Sequence, residues 1–498
     1  MTDDTDSQLV LAAEDCEPAR FDDFHKFPSR TDRRVLAALM AHGPVLLRGG
    51  RGSGKSALMI AASRQLDPVV PDATAIGIYM SLRHAPLLKS TGDAYGRILC
   101  EIITRKVKEV LGARAGKFDP DPDVGSLQVS LSKLAATLEK RIVLFFDDAA
   151  HLGREASLEE FFDIYRTLSS SSVSCKASIY PGVTKFGIRF DVYNDATVVD
   201  LLRSEELPDF GDTFMQVMEA RYSNGFGPGT FSLSLSKEAV VSFLAQATLG
   251  NMRSFVFACN ALRVRCADGR KIGLTELSET LIELAGNYYW PLLEEIKPKL
   301  GTYEPMVSAA HEVADLLFED VGQRINNPRD ILIHRELDEK LAKPLQILEY
   351  AGFLSKREAS RALKSGGRGS RYALNLCNLL EQTSGSRLTK SLFERWSDSS
   401  REEAVQFGRG SSLSNITLPA TPSADNLAIF NEPISKLEKS QAYPYGLSPQ
   451  KIEVLTNAGY LTVGDLVEAE DGALDDVWSI GEVMVRRIRN VLGQAIWM

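Results

Sequence analysis

The 498-residue chain has only six cysteines, Cys16, Cys100, Cys175, Cys259, Cys266 and Cys377, with no C-x-x-C pair and no histidines at metal-ligand spacing. That scatter argues against a zinc framework and a disulfide scaffold and fits reduced thiols in a cytosolic setting. No stretch approaches the ~18 apolar residues of a membrane span, and the acidic start lacks the basic-then-apolar order of a signal peptide. The expectation is a cytoplasmic protein with no membrane partner. Cationic charge is also short: 57 Lys and Arg against 66 Asp and Glu give a formal net charge of −9. A surface coated for nucleic acid is thereby excluded, so any DNA contact must come from a local basic patch. No long internal repeat is present. The length exceeds what one hydrophobic core serves and points to about three domains.

What is present is a phosphate loop. Gly49-Gly50-Arg51-Gly52-Ser53-Gly54-Lys55-Ser56 matches G-x-x-x-x-G-K-[ST], between the apolar run Pro44-Val45-Leu46-Leu47 and a helical pattern from Ser56 to Leu66 that begins with Ala57. Glycines let successive N–H groups converge on one anion, Lys55 adds a positive charge near the β- and γ-phosphates, and Ser56 offers a hydroxyl to Mg²⁺. Gly49 through Ala57 are therefore assigned to ATP, with Mg²⁺ as its companion. A loop of this kind needs a carboxylate at the end of a neighbouring buried strand to hold the metal through its water shell. Ile142-Val143-Leu144-Phe145-Phe146-Asp147-Asp148 supplies one, with Asp147 on the metal side and Asp148 placed to polarise the attacking water.

The periodicity divides the chain into a flexible N-terminus (1–25), an α/β domain (26–204), a helical lid (205–298), a third unit (299–380), a Ser-rich linker (381–440) with disorder expected near 398–426, and a small helical domain (441–498). Strand-like runs at 45–48, 74–82, 141–146, 173–180 and 197–202 alternate with helical patterns, which implies a mostly parallel sheet covered on both faces, with ligand at the carboxyl ends of the strands. The third unit reads as helices at 304–318, 328–337 and 341–350, then a hairpin, a natural winged helix-turn-helix. Between Lys356 and Arg371 lie Lys356, Arg357, Arg361, Lys364, Arg368 and Arg371 against only Glu358. Those six cations are the expected DNA contacts, since a cationic tip can lie along phosphates.

On the phosphate loop and the Asp147-Asp148 strand, the chain resembles AAA+ P-loop ATPases, in particular the branch of origin-recognition and initiator ATPases with their transposition and defence relatives, over roughly residues 25–380. The resemblance implies a multidomain α/β fold: a P-loop AAA+ parallel sheet with a helical lid, a winged helix and a small all-α helix-hairpin-helix domain. Asp148 departs from the Asp-Glu pair usual in that class; Asp-Asp is more familiar in STAND ATPases, and the shorter side chain implies slow hydrolysis. Gly250-Asn251-Met252-Arg253 is similar to the lid motif whose arginine reaches the γ-phosphate, which makes Arg253 that candidate. Arg189, with Lys185 as the alternative, stands where such proteins carry an arginine for the next subunit's site, implying a nucleotide-dependent homo-oligomer. Ser178, Tyr180 and Thr184 all remain open as the first sensor. The segment from Leu447 to Ile488 is similar to the helix-hairpin-helix domain of the bacterial RNA polymerase α subunit, but Gln450, Glu482 and Val483 stand where that family touches DNA. A protein partner for this domain is the resulting expectation.

Two further features are set aside. Asp119, Asp121 and Asp123 mimic a calcium loop with the glycine misplaced and Ser130 where a bidentate acid belongs, and His151 reads as exposed polar surface. Two functions follow: an ATP-hydrolysing switch that associates with DNA through its wing and recruits or remodels a partner, or a slow or non-hydrolysing nucleotide-gated scaffold whose C-terminal modules bind protein.

Overall fold

The computed structural model describes residues 12–67, 73–83, 87, 90–149, 155–182, 186, 189–222, 225–324, 327–398, 404–420, 428–440 and 446–497. His151, Thr184 and Lys185 lie outside them. The first unit runs α1 (Arg30–Met40), β1 (Val45–Arg48), α2 (Lys55–Gln65), β2 (Ala75–Ser81), α3 (Gly92–Leu111), α4 (Val124–Leu138), β3 (Arg141–Asp147), α5 (Glu155–Leu168), β4 (Val173–Ile179) and β5 (Thr197–Asp200). Its five strands are all parallel in the order β2-β3-β4-β1-β5. β4 thus lies between the phosphate-loop strand and the acidic strand, an α/β sheet of the AAA+ type. Runs such as Ile142 to Phe146, buried at every residue, form interior strands because helices cover both faces.

The N-terminus differs from expectation. Within residues 12–25, Cys16, Phe21 and Phe24 are buried in the same apolar cluster as Val35, Leu39, Met59 and Phe145, so this stretch is a strap packed on the sheet domain. Three buried apolar side chains outweigh its polar composition. The calcium-like loop is structural: Asp123 Oδ1 accepts the Ser126 N–H at the start of α4, and Asp119 pairs with Lys108 at 2.6 Å.

The helices α6 (Phe210–Arg221), α7 (Lys237–Ala247), α8 (Met252–Arg265), α9 (Leu274–Leu284) and α10 (Trp290–Ile296) follow, the last two joined by one wide turn at Ala285–Tyr289. Next come α11 (Met306–Gly322), β6 (Asp330–His334), α12 (Arg335–Lys340), α13 (Ala342–Ala351), β7 (Leu354–Ala362) and β8 (Arg368–Leu374). The helix expected at 328–337 is a strand followed by a short helix. Ile331, Leu332 and Ile333 are all buried, and their backbone pairs with β8 on one side. On the other side it pairs with β9 (Val405–Phe407), from the segment read as linker. Lid and third unit share one core, in which Phe353 meets the rings of Tyr289 and Trp290 at 5.8 and 4.9 Å.

The linker expectation is likewise corrected. After α14 (Leu376–Glu381), α15 (Lys390–Ser397) seals Phe393 and Trp396 into that core, and Leu413 and Ile416 are buried there too. A few large side chains without periodicity suffice to dock a Ser-rich segment. The C-terminal core starts earlier than residue 441: Ile429, Ile434 and Leu437 pack with α16 (Pro449–Asn457), α17 (Val463–Glu468), α18 (Asp471–Asp475) and α19 (Glu482–Trp497).

Candidate nucleotide site

The loop between β1 and α2 takes left-handed backbone at Gly52 (φ 77°) and Gly54 (φ 96°), which only glycine adopts without strain. A Cβ at Gly52 would lie 2.7 Å from the Arg253 Cβ and from Asn251 Oδ1, so the loop and the lid touch through this residue. The Arg253 N–H donates to Gly52 O at 3.2 Å and Asn251 Nδ2 to Arg51 O at 2.6 Å, which ties the lid to the loop at the start of α8. Ala57 is buried beneath the loop in α2.

Lys55 is buried, donates to Gly49 O at 2.7 Å and Gly50 O at 3.1 Å, and sits 4.0 Å above the Tyr180 ring centroid. Burial pushes its ammonium down to about 8 against the pull of Asp147 and Asp148. In the cleft between loop, lid and N-terminal strap, Arg51, Ser53, Ser56 and Arg253 are joined by Phe24, His25 and Phe27. Burial lowers the His25 imidazole to about 4, with Arg221 adding to the effect, so the ring is neutral at pH 7. Arg253 Nε, Arg51 Nε and Nη1 and Ser53 Oγ are buried here without a hydrogen-bond partner. Buried donors left without acceptors are costly. The site therefore fits a polyanion.

Asp147 ends β3, where Ser178 Oγ donates to its Oδ1 at 2.6 Å. Asp148 follows with φ 53°, a conformation aspartate tolerates better than most residues. Its N–H donates to Ser178 Oγ at 2.8 Å, its Oδ1 accepts from the Tyr180 hydroxyl at 3.1 Å, and its Oδ2 from Arg83 Nε at 2.7 Å. Burial pushes the Asp148 carboxyl up, Arg83 opposes and Asp147 adds, and the balance lies above the usual range. Of the three first-sensor residues, Ser178 and Tyr180 both reach the acid pair.

Four participants were missed by sequence reasoning. Arg83 joins Asp148 to Glu14, its Nη1 lying 2.9 Å from Glu14 Oε2. The Tyr79 hydroxyl lies 2.7 Å from Glu14 Oε1 and 2.8 Å from Asp147 Oδ2. One hydrogen cannot serve two carboxylates, so the second is carried by Glu14, whose carboxyl burial pushes up to about 8 despite Arg83. Arg203 donates to Ser53 O at 2.5 Å and to Asp32 Oδ1 at 2.6 Å, bracing the loop from below. Ligand oxygens of Glu14, Asp147 and Asp148 all lie within 4.8 Å of one another, a donor set suited to Mg²⁺ once Glu14 gives up its proton, and Asp148 and Ser56 line the cleft. Arg83 had a signal: Ser81 is in register with Asp147, so a charge just past β2 falls beside one just past β3. Glu14 had none, because only the docked strap brings it there.

Arg189 is exposed on the sheet domain, its carbonyl accepting from Arg166, and it does not line this cleft. The six expected DNA contacts divide. The side chains of Arg357 and Arg371 are only 3% and 2% exposed, the first 2.8 Å from Glu205 and the second held by Asp330 and Glu358. Neither reaches DNA in this arrangement: Arg357 is held across to Glu205, and Arg371 by acids on the two strands beside its own. Lys356 is half-buried, 3.3 Å from Asp338. Arg361, Lys364 and Arg368 are exposed at the hairpin tip.

The third unit also meets the phosphate loop. Tyr350 O, at the end of α13, accepts the Arg51 N–H at 3.2 Å, and the Tyr350 ring packs edge-on against Tyr180 at 4.9 Å. Lys343 donates to Gly182 O at 3.2 Å. No residue of α13 is exposed.

No family model and no curated protein matches the sequence. Among solved structures, the chain is similar to the Aeropyrum pernix ORC1 protein in complex with DNA (16% identity, 75% of this chain and 94% of that one, TM-score 0.33). It is also similar to a Walker-type ATPase of Pyrococcus abyssi (14%, 71% and 95%, TM-score 0.42) and to domain III of the Thermotoga maritima replication initiation protein DnaA (18%, 53% and 96%, TM-score 0.32). At these scores the strand order and the loop, rather than the likeness, define the fold.

Proposed function

We propose that this chain is an ATP-operated switch whose third unit, read as a winged helix, is latched on its own phosphate loop and released when ATP binds. The observation that carries it is the seating of α13 on Arg51, Tyr180 and Gly182. The unit has the winged-helix order of helix, strand, helix, helix and hairpin, and α13 is the helix that would enter a DNA groove. Here it faces the nucleotide site instead.

In this reading the loop N–H groups, Lys55 and Arg253 bind the phosphates of ATP, and the strap's Phe24, His25 and Phe27 line the rest of the cleft. Mg²⁺, held by Ser56 and Asp147, would neutralise phosphate charge. Asp148 orients the attacking water and takes up its proton. Its two oxygens already accept from Tyr180 and Arg83, which leaves fewer acceptor positions for the water and supports slow turnover. Asp148→Asn is expected to bind ATP almost as tightly as the parent and to lose turnover by at least about tenfold, measured as phosphate release under single-turnover conditions. Arg189 is assigned to a neighbouring subunit's nucleotide in an ATP-dependent homo-oligomer. Mixing Arg189→Ala with Lys55→Ala protein should then restore part of the turnover that neither has alone; additive rates in the mixture would remove that role.

Once α13 is free, Arg361, Lys364 and Arg368 support association with DNA through phosphate contacts. The second reading, a slow scaffold whose C-terminal modules bind protein, is favoured by the burial of Arg357, Arg371 and α13. A disulfide distinguishes them. A Cβ at Gly182 would lie 3.0 Å from the Gln346 Cβ, so a modest opening reaches the ~3.5–4.5 Å of a disulfide. Because Gly182 has φ 87°, a cysteine there is strained, and a melting curve of the reduced variant is measured first. Oxidised Gly182→Cys/Gln346→Cys protein should still bind ATP but should fail to gain duplex DNA affinity with ATP, and reductant should restore that gain. Equal ATP-dependent DNA binding in both redox states would contradict the latch; no DNA binding in either would favour the scaffold.

A further inference from the structure

The C-terminal unit displays large apolar side chains that its own core does not use. Among the described residues seven large apolar side chains are markedly exposed, and three belong to this small unit: Leu461 at 58%, Trp478 at 83% and Val483 at 77%. Trp478 lies in the turn between α18 and α19, and Val483 is in the first turn of α19. The turn is well held: Leu474 and Ile480 are buried on either side of Trp478, Ile480 N–H donates to Val477 O at 2.9 Å, and Lys451 Nζ donates to Ser479 O at 2.5 Å. Trp478 is therefore presented outward by an ordered turn. Single exposed apolar residues are common, but a tryptophan offers ~150–250 Å² of surface and is strongly enriched among residues that anchor protein interfaces.

The charge around it is acidic. Asp475 and Asp476 precede Trp478 and Glu482 follows, all exposed, while Asp471 is held by Arg489 at 2.8 Å. On the cationic side, Arg486 faces Glu482 at 3.5 Å, Lys451 is turned back onto Ser479, and Arg487 is exposed further along α19. A base stacked on Trp478 would bring its phosphates against Asp475, Asp476 and Glu482, so the patch disfavours nucleic acid.

We propose that the turn 475–483 is a protein-docking site for a partner surface that presents an apolar side chain flanked by lysine or arginine, with Trp478 as its anchor. This rests on and deepens the second reading above, in which the C-terminal modules bind protein. The complementarity is twofold: apolar area against Trp478 and Val483, and cations against the three carboxylates.

The test is a random 16-residue peptide display library selected on the full chain without nucleotide and counter-selected on Trp478→Ala. That variant is expected to fold as the parent does, which a melting curve checks, because the side chain is mostly outside the core. The site predicts enriched peptides that combine Lys or Arg with Leu, Phe or Trp. Their affinity should fall about 30-fold in Trp478→Ala and clearly in Asp475→Lys/Asp476→Lys, and should weaken with salt. No enrichment, enrichment of acidic peptides, or unchanged affinity in both variants would overturn it. So would binding of a 20-nucleotide oligothymidine lost in Trp478→Ala, which makes the patch a nucleic-acid site, or self-association lost in that variant, which makes a second copy the occupant. Because the selection omits nucleotide, its failure leaves the ATP site standing, and failed ATP binding leaves the selection standing.

Discussion

Replacing Lys55 by alanine weakens ATP binding by roughly 2–5 kcal/mol, or ~30- to 4000-fold in affinity, while the fold survives. The size follows from what remains. Lys55 is a buried cation beside the acid pair, and without it Asp147 and Asp148 face the phosphates with less opposing charge. The fold survives because the two carbonyls that lose a donor, Gly49 O and Gly50 O, belong to a loop already braced by Arg203 and Asn251. Isothermal calorimetry together with a melting curve checks both halves. Unchanged ATP affinity in a folded variant would remove the site assignment.

Glu205→Ala has the largest expected effect on stability. Glu205 is 4% exposed and accepts from both Arg329 and Arg357, so its removal takes the carboxylate from Arg357 and leaves Arg329 with Gln246 Oε1 at 3.3 Å. Breaking a buried pair from one side costs about 3–5 kcal/mol. In a chain of several units that loss appears first as local opening, read as faster hydrogen exchange in β7 and β8 than in β1 to β4. The same contact predicts an acid limit. Burial opposes the Glu205 charge, but Arg357 and Arg329 outweigh it and hold the carboxyl below its usual range. A depressed carboxyl contributes stability that is present above the unfolded pKa of about 4.3 and is lost as pH falls through the folded value. The third unit should therefore loosen on acidification below about pH 4, and Glu205→Ala should remove that step. Exchange rates equal to the parent's across β7 and β8 would show that Glu205 does not hold the unit.

Much of the sheet domain was legible because its signals are local. Each of the five strand-like runs coincides with a strand, since a buried parallel strand is a continuous apolar run, and the phosphate loop and Asp147-Asp148 lie where such runs end. What escaped was set by packing between distant segments. Glu14 acquires its place only because Phe21 and Phe24 anchor the strap, and Asp330–His334 becomes a strand because β8 and β9 flank it. Arg357 and Arg371 looked like DNA contacts because a count of charges cannot tell a hairpin's tip from its base. The tip cations, Arg361, Lys364 and Arg368, are exposed as that count implied; those at the base meet Glu205, Asp330 and Glu358.

The central claim is that ATP moves the third unit off the phosphate loop. Spin labels at Ser365→Cys on the hairpin tip and Glu101→Cys on α3, both exposed, report the separation of the two units by pulsed electron resonance. Saturating ATP with Mg²⁺ should shift that distance distribution to a second population, and the Lys55→Ala protein should keep the nucleotide-free one. A single distribution, unchanged when calorimetry shows ATP bound, would contradict the account.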